Sequence, residues 1–307
     1  MAYTDTTALS GLVKTAYDRY VEFALRSQPL IRSLADKRPV QQAMPGSSVV
    51  FSLYQDLAAV TGTLTETTDP DAVAISNTNT VSVTLYERGN SVLQTKKLGE
   101  FAFSDVDPAV ANMVAFNLAD SLDKVVNTTL ITGTNVLYGG TRSSTVTVTA
   151  ADVITTAMVR KAVAKLRSGN AVPREGMLYG AWIHPEVAHD LRAESGSGAF
   201  DDIRKYTDGN VGNIMGGVTG VLGGAYFVET PRAYNATDGA SSAKVYRTII
   251  AGKQALAEAV AIEPSVVIGP VVDKLMRFRP IGWYGLLGHS IYRNEALYRL
   301  ETGSSIA

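Results

Sequence analysis

A long polar connection between two predicted strands limits the folds that this chain of 307 residues can adopt. Apolar and polar residues alternate in SVVFSLY (48–54) and in VSVTLY (81–86), which predicts a strand on each side. The connection DLAAVTGTLTETTDPDAVAISNTNT (56–80) contains few residues that could join a core. So long a connection is unusual inside a compact domain. It is therefore either disordered or a hairpin extension that packs on another molecule.

Charge in this connection has one sign. No lysine or arginine occurs between Arg38 and Arg88, whereas acidic residues occur at Asp56, Glu66, Asp69 and Asp71. This asymmetry favours an extension whose carboxylates meet basic groups of another copy of the chain. The alternative is an acidic loop that only faces solvent.

Composition narrows the class of protein further. Charged residues make up 19% of the chain, below the roughly 25% usual in soluble domains, which indicates that other protein covers part of the surface. A net charge of -1 argues against a basic surface that grips nucleic acid. The chain has no cysteine, and its first twenty residues contain no signal peptide. It also has no run of 18 apolar residues, so a protein of a reducing, aqueous compartment is expected.

Two helices are predicted in the first half of the chain. Residues 9–27 carry an apolar stripe at helical spacing, and the prolines that follow set this helix apart as an arm. A longer stripe predicts a helix over residues 107–132, with Asp107 as its N-cap and Pro108 in its first turn. That helix would be a rod of about 36 Å.

The second half alternates predicted strands, one further helix and glycine-rich loops. A helix is predicted over residues 152–168 with Asp152 as its cap, between the predicted strands TRSSTVTVTA and MLYGAWI. The run GNVGNIMGGVTGVLGG (209–224) lacks the preceding strand that a dinucleotide site needs, so a mobile loop is predicted. Short strands are predicted in AYFVET, VYRTIIAG, PSVVIGPVV and SIYRNEALYRLE.

The stretch GAWIHPEVAHDLRAE holds two of the three histidines beside carboxylates. His184 and His189 would lie about 140° apart around a helix, so they cannot bind one ion together. Pro185 occupies a helix start and Glu186 the first turn, which predicts a strand-to-helix junction rather than a catalytic or metal site. His289 has no obvious carboxylate partner nearby in sequence. No catalytic, cofactor-binding or metal-binding residue is predicted.

The order of these elements resembles the major capsid proteins of tailed bacteriophages, which share the Hong Kong 97 fold. The resemblance extends over nearly all of the chain, and its most telling parts are WIHPEVAHDLR, GVLGGAYFVETPRA and GWYGLLGHSIYRNEALYRLE. It implies an α+β fold with an N-terminal arm, an extended hairpin loop, a peripheral domain with a long spine helix, and an axial domain. The implied limits are 1–45 for the arm, 46–98 for the extended loop and flanking strands, 99–149 for the peripheral domain, 150–262 for the axial domain, and 263–307 for C-terminal strands that complete both domains.

The resemblance also implies a function. A structural protein is expected that self-assembles into hexamers and pentamers of an icosahedral head around double-stranded DNA, in the virion, after assembly in the host cytoplasm. No enzymatic activity and no cofactor are implied. Inter-subunit contacts in the arm and extended loop are expected at Tyr17, Tyr20, Arg38, Asp56, Glu66, Asp69, Asp71, Arg88, Lys96 and Lys97, with Arg142 as a further basic candidate. An axial loop is expected around Asp208, Asn210 and Asn213.

Two departures from the family qualify this expectation. The founding member cross-links its subunits through a lysine on the extended loop, but residues 56–78 contain no lysine and Lys96 and Lys97 lie at the base, so non-covalent contacts are expected. Little precedes the first helix after Met1, so no fused scaffolding segment is implied. The expected partners are a separate scaffolding protein, a portal and DNA contacted non-specifically, with a decoration protein left open and no membrane.

Three rival functions stay open at this point. An encapsulin-like nanocompartment shell has the same fold but encloses cargo enzymes. A tail or neck component would form rings or tubes. A hydrolase would need His184, Glu186 or His189 in a pocket.

Overall fold

A computed structural model describes residues 27–39, 48–54, 57–64, 66–67, 69, 72–74, 77–101, 106–194, 218–271 and 273–306. The helices there are α1 (Lys96–Phe101), α2 (Val106–Leu130), α3 (Thr156–Ser168) and α4 (Pro185–Ala193). The strands are β1 (Asp36–Pro39), β2 (Ser48–Tyr54), β3 (Asn77–Thr84), β4 (Tyr86–Thr95), β5 (Val136–Tyr138), β6 (Tyr179–Ile183), β7 (Val218–Leu222), β8 (Ala225–Glu229), β9 (Asn235–Ala236), β10 (Val245–Ala251), β11 (Leu256–Ile268), β12 (Phe278–Ile291) and β13 (Leu297–Thr302). Among the described residues, no helix is both long and apolar enough to cross a membrane.

The chain divides into two compact units. In the described residues, unit 1 comprises Gly89–Leu118 and Ser265–Tyr284, and unit 2 comprises Ser27–Arg88, Ala119–Pro264 and Gly285–Ala307. The core of unit 1 is small: Trp283 packs with Val114 and Ile281. The indole Nε1 of Trp283 donates a hydrogen bond to Asn117 Oδ1 at 2.9 Å, which satisfies its buried N–H.

A seven-stranded mixed sheet organises unit 2. Its path runs β5-β13-β10-β6-β8-β7, and β9 pairs with β10 beside this path. Strands β6 and β8 are parallel, as are β5 and β13, while the other pairings are antiparallel. The inner strands are apolar on both faces, because each face is covered.

Two buried clusters lie on opposite faces of this sheet, since neighbouring residues of a strand point to opposite sides. On one face Ile250 belongs to the cluster that contains the inner sides of α3 and α4. On the other face its neighbour Ile249 packs in the cluster that contains Val126 of α2, together with Ile31 and Leu34. Unit 2 therefore has helices over one face and the end of α2, with residues 31–34, over the other.

The other strands form two smaller sheets. One has the order β1-β11-β12-β4, in which β1 runs parallel to β11 with Asp36 opposite Ala257. The other is the antiparallel pair of β2 and β3, in which Phe51 lies opposite Val81. The predicted strands at each end of the polar connection are thus confirmed, and the pairing makes the connection a hairpin.

The predicted helix of 107–132 is confirmed as α2, but it begins at Val106, so Asp107 lies in its first turn with Pro108 and is not the N-cap that was predicted. The predicted cap of the next helix is wrong. Helix α3 begins at Thr156, and the hydroxyl of Thr155 accepts the Met158 N–H at 3.3 Å. Asp152 instead accepts the backbone N–H of Thr149 at 2.8 Å and the Arg142 Nε–H at 2.9 Å. Burial raises the pKa of Asp152, but these bonds outweigh it and hold the pKa below its ordinary value.

Predictions of strands and of one loop are also corrected. Thr145–Thr147 is a short 3-10 turn rather than a strand, because the Thr147 and Val148 N–H groups bond to carbonyls three residues back. Residues 218–222, predicted as part of a loop, form β7, which pairs with β8 through a turn at Gly223 and Gly224. Of the predicted strand PSVVIGPVV, residues 264–268 form the end of β11. The predicted strand SIYRNEALYRLE is divided between the end of β12, a 3-10 turn at Asn294–Ala296 and β13.

Candidate inter-subunit surface

The histidine-containing stretch forms the predicted junction between β6 and α4. His184 is the N-cap, and its Nδ1 accepts the Glu186 N–H at 3.3 Å, with Pro185 in the first turn. The imidazole packs against the Tyr246 ring at an interplanar angle of 43°, with ring centroids 4.9 Å apart. Burial lowers the pKa of His184, and Lys244 acts in the same direction while Glu186 opposes it.

The other polar groups of this junction have structural partners. The Tyr246 hydroxyl donates to Glu186, and Lys244 Nζ lies 3.5 Å from the same carboxylate. The His189 side chain is 58% exposed, whereas His184 is buried. In the described part of the chain, no group of three or more His, Cys, Asp or Glu residues could hold a metal ion. The junction therefore positions the start of α4.

The hairpin between β2 and β3 exposes apolar side chains to solvent. In its described residues the exposed fractions are 57% for Leu57, 83% for Val60, 76% for Leu64 and 71% for Val73. Glu66 and Asp69 are also exposed, whereas Asp56 and Asp71 lie outside the described residues. Aliphatic side chains grouped on one extended segment are a sign of an interaction site.

The base of this hairpin is packed against its own unit. Val83 of β3 is fully buried. Phe51 of β2 meets Tyr292 edge-to-face, with centroids 6.1 Å apart. Gly288 of β12 approaches Thr84 so closely that an added Cβ would lie 2.1 Å from the Thr84 carbonyl oxygen. A fixed base thus carries an exposed end.

Residues 27–39, which follow the predicted arm helix, are also anchored to unit 2. We call them the arm root. Ile31 and Leu34 are buried in its core. Arg174 donates to the Leu34 carbonyl at 2.9 Å, and Arg232 donates to the Ser27 carbonyl at 3.1 Å. These bonds satisfy backbone carbonyls that a buried, irregular segment would otherwise leave unpaired.

Buried charges surround the arm root. Arg32 donates to Glu258 Oε1 from Nε at 2.9 Å and from Nη2 at 2.7 Å, and Arg232 Nε lies 3.1 Å from Asp123 Oδ2. His289 Nε2 lies 3.4 Å from Glu258 Oε1, so the carboxylate partner that sequence could not supply comes from β11. Burial raises the pKa of Glu258, but His289 and Arg32 outweigh it and hold the pKa low.

The pKa of Asp123 is instead raised above its ordinary value. Burial raises its pKa, and the hydrogen bonds from the backbone N–H groups of Arg32 and Ile31 only partly offset this. Burial also lowers the pKa of the neighbouring Arg232 guanidinium.

The remaining predicted contact residues are spread over the chain. Arg38 lies in β1, and Arg88 in β4 has its guanidinium 5.7 Å from the Tyr86 ring centroid. Lys96 and Lys97 are exposed at the start of α1. Arg142 bonds to Asp152 in its own chain. Predicted residues outside the described part are Tyr17, Tyr20, Asp208, Asn210 and Asn213.

Sequence reasoning missed the exposed apolar residues. In the hairpin it weighed the acidic residues, although Leu57, Val60 and Leu64 recur in an otherwise polar run and could have been noticed. In unit 1 the strand end and turn after Ser265 expose a second apolar set: Val266, Val267, Ile268, Val271, Leu275 and Met276. The run PSVVIGPVV was interpreted only as a short strand.

Comparison with known proteins agrees with this geometry. The sequence matches the phage capsid protein family over residues 5–295, and no curated protein sequence matches it. The fold is similar to the cyanophage Pam1 capsid, with a TM-score of 0.74 at 15% identity over 99% of this chain and 100% of that chain. It is also similar to the capsid of Ralstonia phage GP4, with a TM-score of 0.75 at 14% identity over 99% of both chains.

A third similar structure is the acid-stable capsid of Helicobacter pylori bacteriophage KHP30, with a TM-score of 0.72 at 16% identity over 99% of both chains. At such identities these structures establish the fold alone. The Hong Kong 97-like α+β fold predicted from the sequence is thereby confirmed.

Proposed function

The chain belongs to the phage capsid protein family and is a major capsid protein of the phage head; we propose that its copies form hexamers and pentamers of an icosahedral shell around double-stranded DNA. Its role in this proposal is structural, without catalysis. The shell would assemble in the host cytoplasm and remain in the virion.

The observation that carries the proposal is the hairpin with a packed base and exposed apolar residues. Burying a valine or leucine side chain contributes about 1.5–3 kcal/mol. Leu57, Val60 and Leu64 would therefore contribute on the order of 5 kcal/mol per copy if a neighbouring copy covered them. Contacts of this size, repeated over many subunits, give a stable shell while each contact alone can still open and re-form.

Charged residues of the hairpin have a second role in the proposal. Glu66 and Asp69 are exposed, and Arg38, Arg88, Lys96 and Lys97 are the proposed basic partners on neighbouring copies. Ion pairs at the rim of an interface mainly set register and association rate. Arg142 is a weaker candidate because Asp152 of its own chain already engages it.

Other parts of the proposal rest on the resemblance to the family. Residues 1–45 would act as an arm, with Tyr17 and Tyr20 in contact with neighbours. Residues 46–98 would be the extended loop, 99–149 the peripheral domain, 150–262 the axial domain and 263–307 the C-terminal strands. Asp208, Asn210 and Asn213 would lie near a capsomer axis. A separate scaffolding protein and a portal are the proposed partners, and packaged DNA would be contacted non-specifically.

The rival functions are not favoured. The family match is to phage capsid proteins rather than to cargo-enclosing or tail proteins. The hydrolase alternative needs His184, Glu186 or His189 free for chemistry. His184 instead caps α4, and Glu186 bonds to Tyr246.

A triple variant tests the proposal. The purified chain, together with its scaffolding protein, is expected to form closed shells in negative-stain microscopy. Leu57→Ser, Val60→Ser and Leu64→Ser together should abolish shells while leaving the urea unfolding midpoint unchanged, because these side chains are exposed in the single chain. The matched control changes the interleaved Thr61 and Thr63 to serine and should assemble normally. Normal shells from the apolar triple variant would contradict the proposed hairpin contact.

A further inference from the structure

A buried cluster of charged side chains lies against residues 27–39, and the proposed contacts between shell subunits do not involve it. Glu258 is fully buried, and the His289 side chain is 1% exposed. Glu258 Oε1 receives both bonds from Arg32, and His289 Nε2 lies 3.4 Å from the same oxygen. Among the described residues, Glu258 Oε2 and both ring nitrogens of His289 have no hydrogen-bond partner.

The two cations reach this carboxylate from different places. His289 lies within β12, while Arg32 comes from the arm root and its side chain is 24% exposed. Around Arg32, Glu263 Oε1 lies 3.4 Å from Nη2, and Lys37 Nζ lies 3.2 Å from the same Glu263 oxygen. The Arg32 backbone N–H also donates to Asp123 Oδ1 at 2.9 Å.

We propose that Arg32, Glu258 and His289 form a proton-sensitive latch that holds the arm root closed at neutral pH and loosens it in acid. Withdrawing Arg32 while His289 is neutral leaves a buried carboxylate without a counter-charge, which is strongly unfavourable. Withdrawing it while His289 is protonated leaves Glu258 paired from within β12, so opening costs less. Histidine is the side chain that changes charge near neutral pH.

The direction follows from linkage. When the latch is closed, Arg32 already neutralises Glu258, and a second positive charge on His289 would face Arg32 across the same carboxylate oxygen. When it is open, a charged His289 would take the place of Arg32 as the counter-charge of Glu258. A ligand that binds the open state more tightly shifts the population toward that state, and here the ligand is the proton. Acid therefore favours the open arm root.

The latch itself does not depend on shell formation, but its use in a shell rests on the proposed function. Opening would free Ser27–Leu34, which connect the first 26 residues to β1, to change path between neighbouring copies. Shell formation by the unaltered chain tests the proposed function. The measurement below needs only the folded chain, so either idea can fail alone.

Hydrogen exchange of the peptide covering residues 27–39, corrected for the intrinsic rate, measures opening between about pH 8 and about pH 5. Protonation of Asp123 or Glu263 can also loosen the segment, and the opening caused by those two carboxylates persists in His289→Gln. From pH 8 to pH 5, the equilibrium constant for opening should increase by a factor about ten times larger in the unaltered chain than in His289→Gln. Such a difference corresponds to about 1.4 kcal/mol.

Arg32→Gln is a second test, which serves if the histidine variant does not fold. Among the described residues, a protonated His289 is then the cation left beside Glu258 in the closed and the open state alike, so opening should be higher at pH 8 than in the unaltered chain and should rise less with acid. Identical pH profiles for the unaltered chain and His289→Gln would overturn the latch. A rise in opening with acid that is as steep in Arg32→Gln as in the unaltered chain would overturn it equally.

Discussion

Gly288 is the position where one methyl group should disturb the hairpin most. It lies in β12, and a Cβ there would meet the Thr84 carbonyl oxygen at 2.1 Å and Val83 Cγ1 at 3.0 Å. Real Cβ atoms do not approach other atoms closer than about 3.0 Å, so β3 must move by about 0.9 Å relative to β12. The contact atom is backbone, which cannot rotate away. Gly288→Ala therefore has to displace the base of the hairpin.

The expected cost follows from overpacking. Adding a methyl group to a packed site costs about 1–3 kcal/mol, and we expect a value near the upper end because no side chain can yield. A urea titration followed by tryptophan fluorescence measures it as a lower unfolding midpoint at unchanged slope. Shell yield should fall as well, because the displaced base carries the exposed residues to the wrong place.

Gly62→Ala is the matched control within the same hairpin. No atom lies within 4 Å of the Cβ that it adds, and the change also restricts the unfolded chain. Its free energy of unfolding should stay within about 0.5 kcal/mol of that of the unaltered chain. An unchanged midpoint and shell yield in Gly288→Ala would refute the view that β12 fixes the hairpin base.

Three further changes test the buried and exposed charges. Arg232→Ala should lower the free energy of unfolding by about 3–5 kcal/mol in urea titrations, because Asp123 stays buried without its cation. His184→Asn keeps a capping side chain but removes a histidine whose pKa burial lowers. The unfolded chain takes up that proton first, so the unaltered chain should lose stability as pH falls below about 6.5 and the variant should lose less. Glu66→Lys combined with Asp69→Lys should slow assembly and reverse its salt dependence in light scattering, and an unchanged rate would count against ion pairing by the hairpin.

Local patterns were enough to predict the elements whose stability is local. Helix α2 followed from its apolar stripe, and the junction at His184 followed from Pro185 and Glu186. The cap of α3 did not, because Asp152 and Thr155 are both good capping residues. Thr149 and Arg142 bind the Asp152 carboxylate, which leaves Thr155 to cap the helix. No sequence rule ranks two candidates three residues apart when tertiary hydrogen bonds decide which of them caps the helix.

Sequence spacing could not predict ion pairs between residues that lie far apart in the chain. Arg32 and Glu258 are 226 residues apart, and Arg232 and Asp123 are 109 apart. His289 seemed to lack a carboxylate because its partner lies on β11. The alternation in VTVT, by contrast, matched a strand pattern and still gave a 3-10 turn, since β-propensity reports fit to a sheet rather than a backbone preference.

The positions of the buried charges fit a subunit that extends segments away from its body. A buried ion pair adds little net stability, but removing one partner is costly, so such pairs favour one arrangement over its alternatives. In the described residues Arg32, Arg232 and Glu258 lie around the arm root. At the base of the hairpin, the missing side chain of Gly288 lets β3 pack close to β12. An extended segment gains stability only after it meets a neighbour, so its direction must be fixed beforehand at its base. Loosening the base should therefore reduce assembly more than an equal loss of stability elsewhere in unit 2. The test compares the shell yield of Gly288→Ala with that of a core variant whose free energy of unfolding is lowered by the same amount.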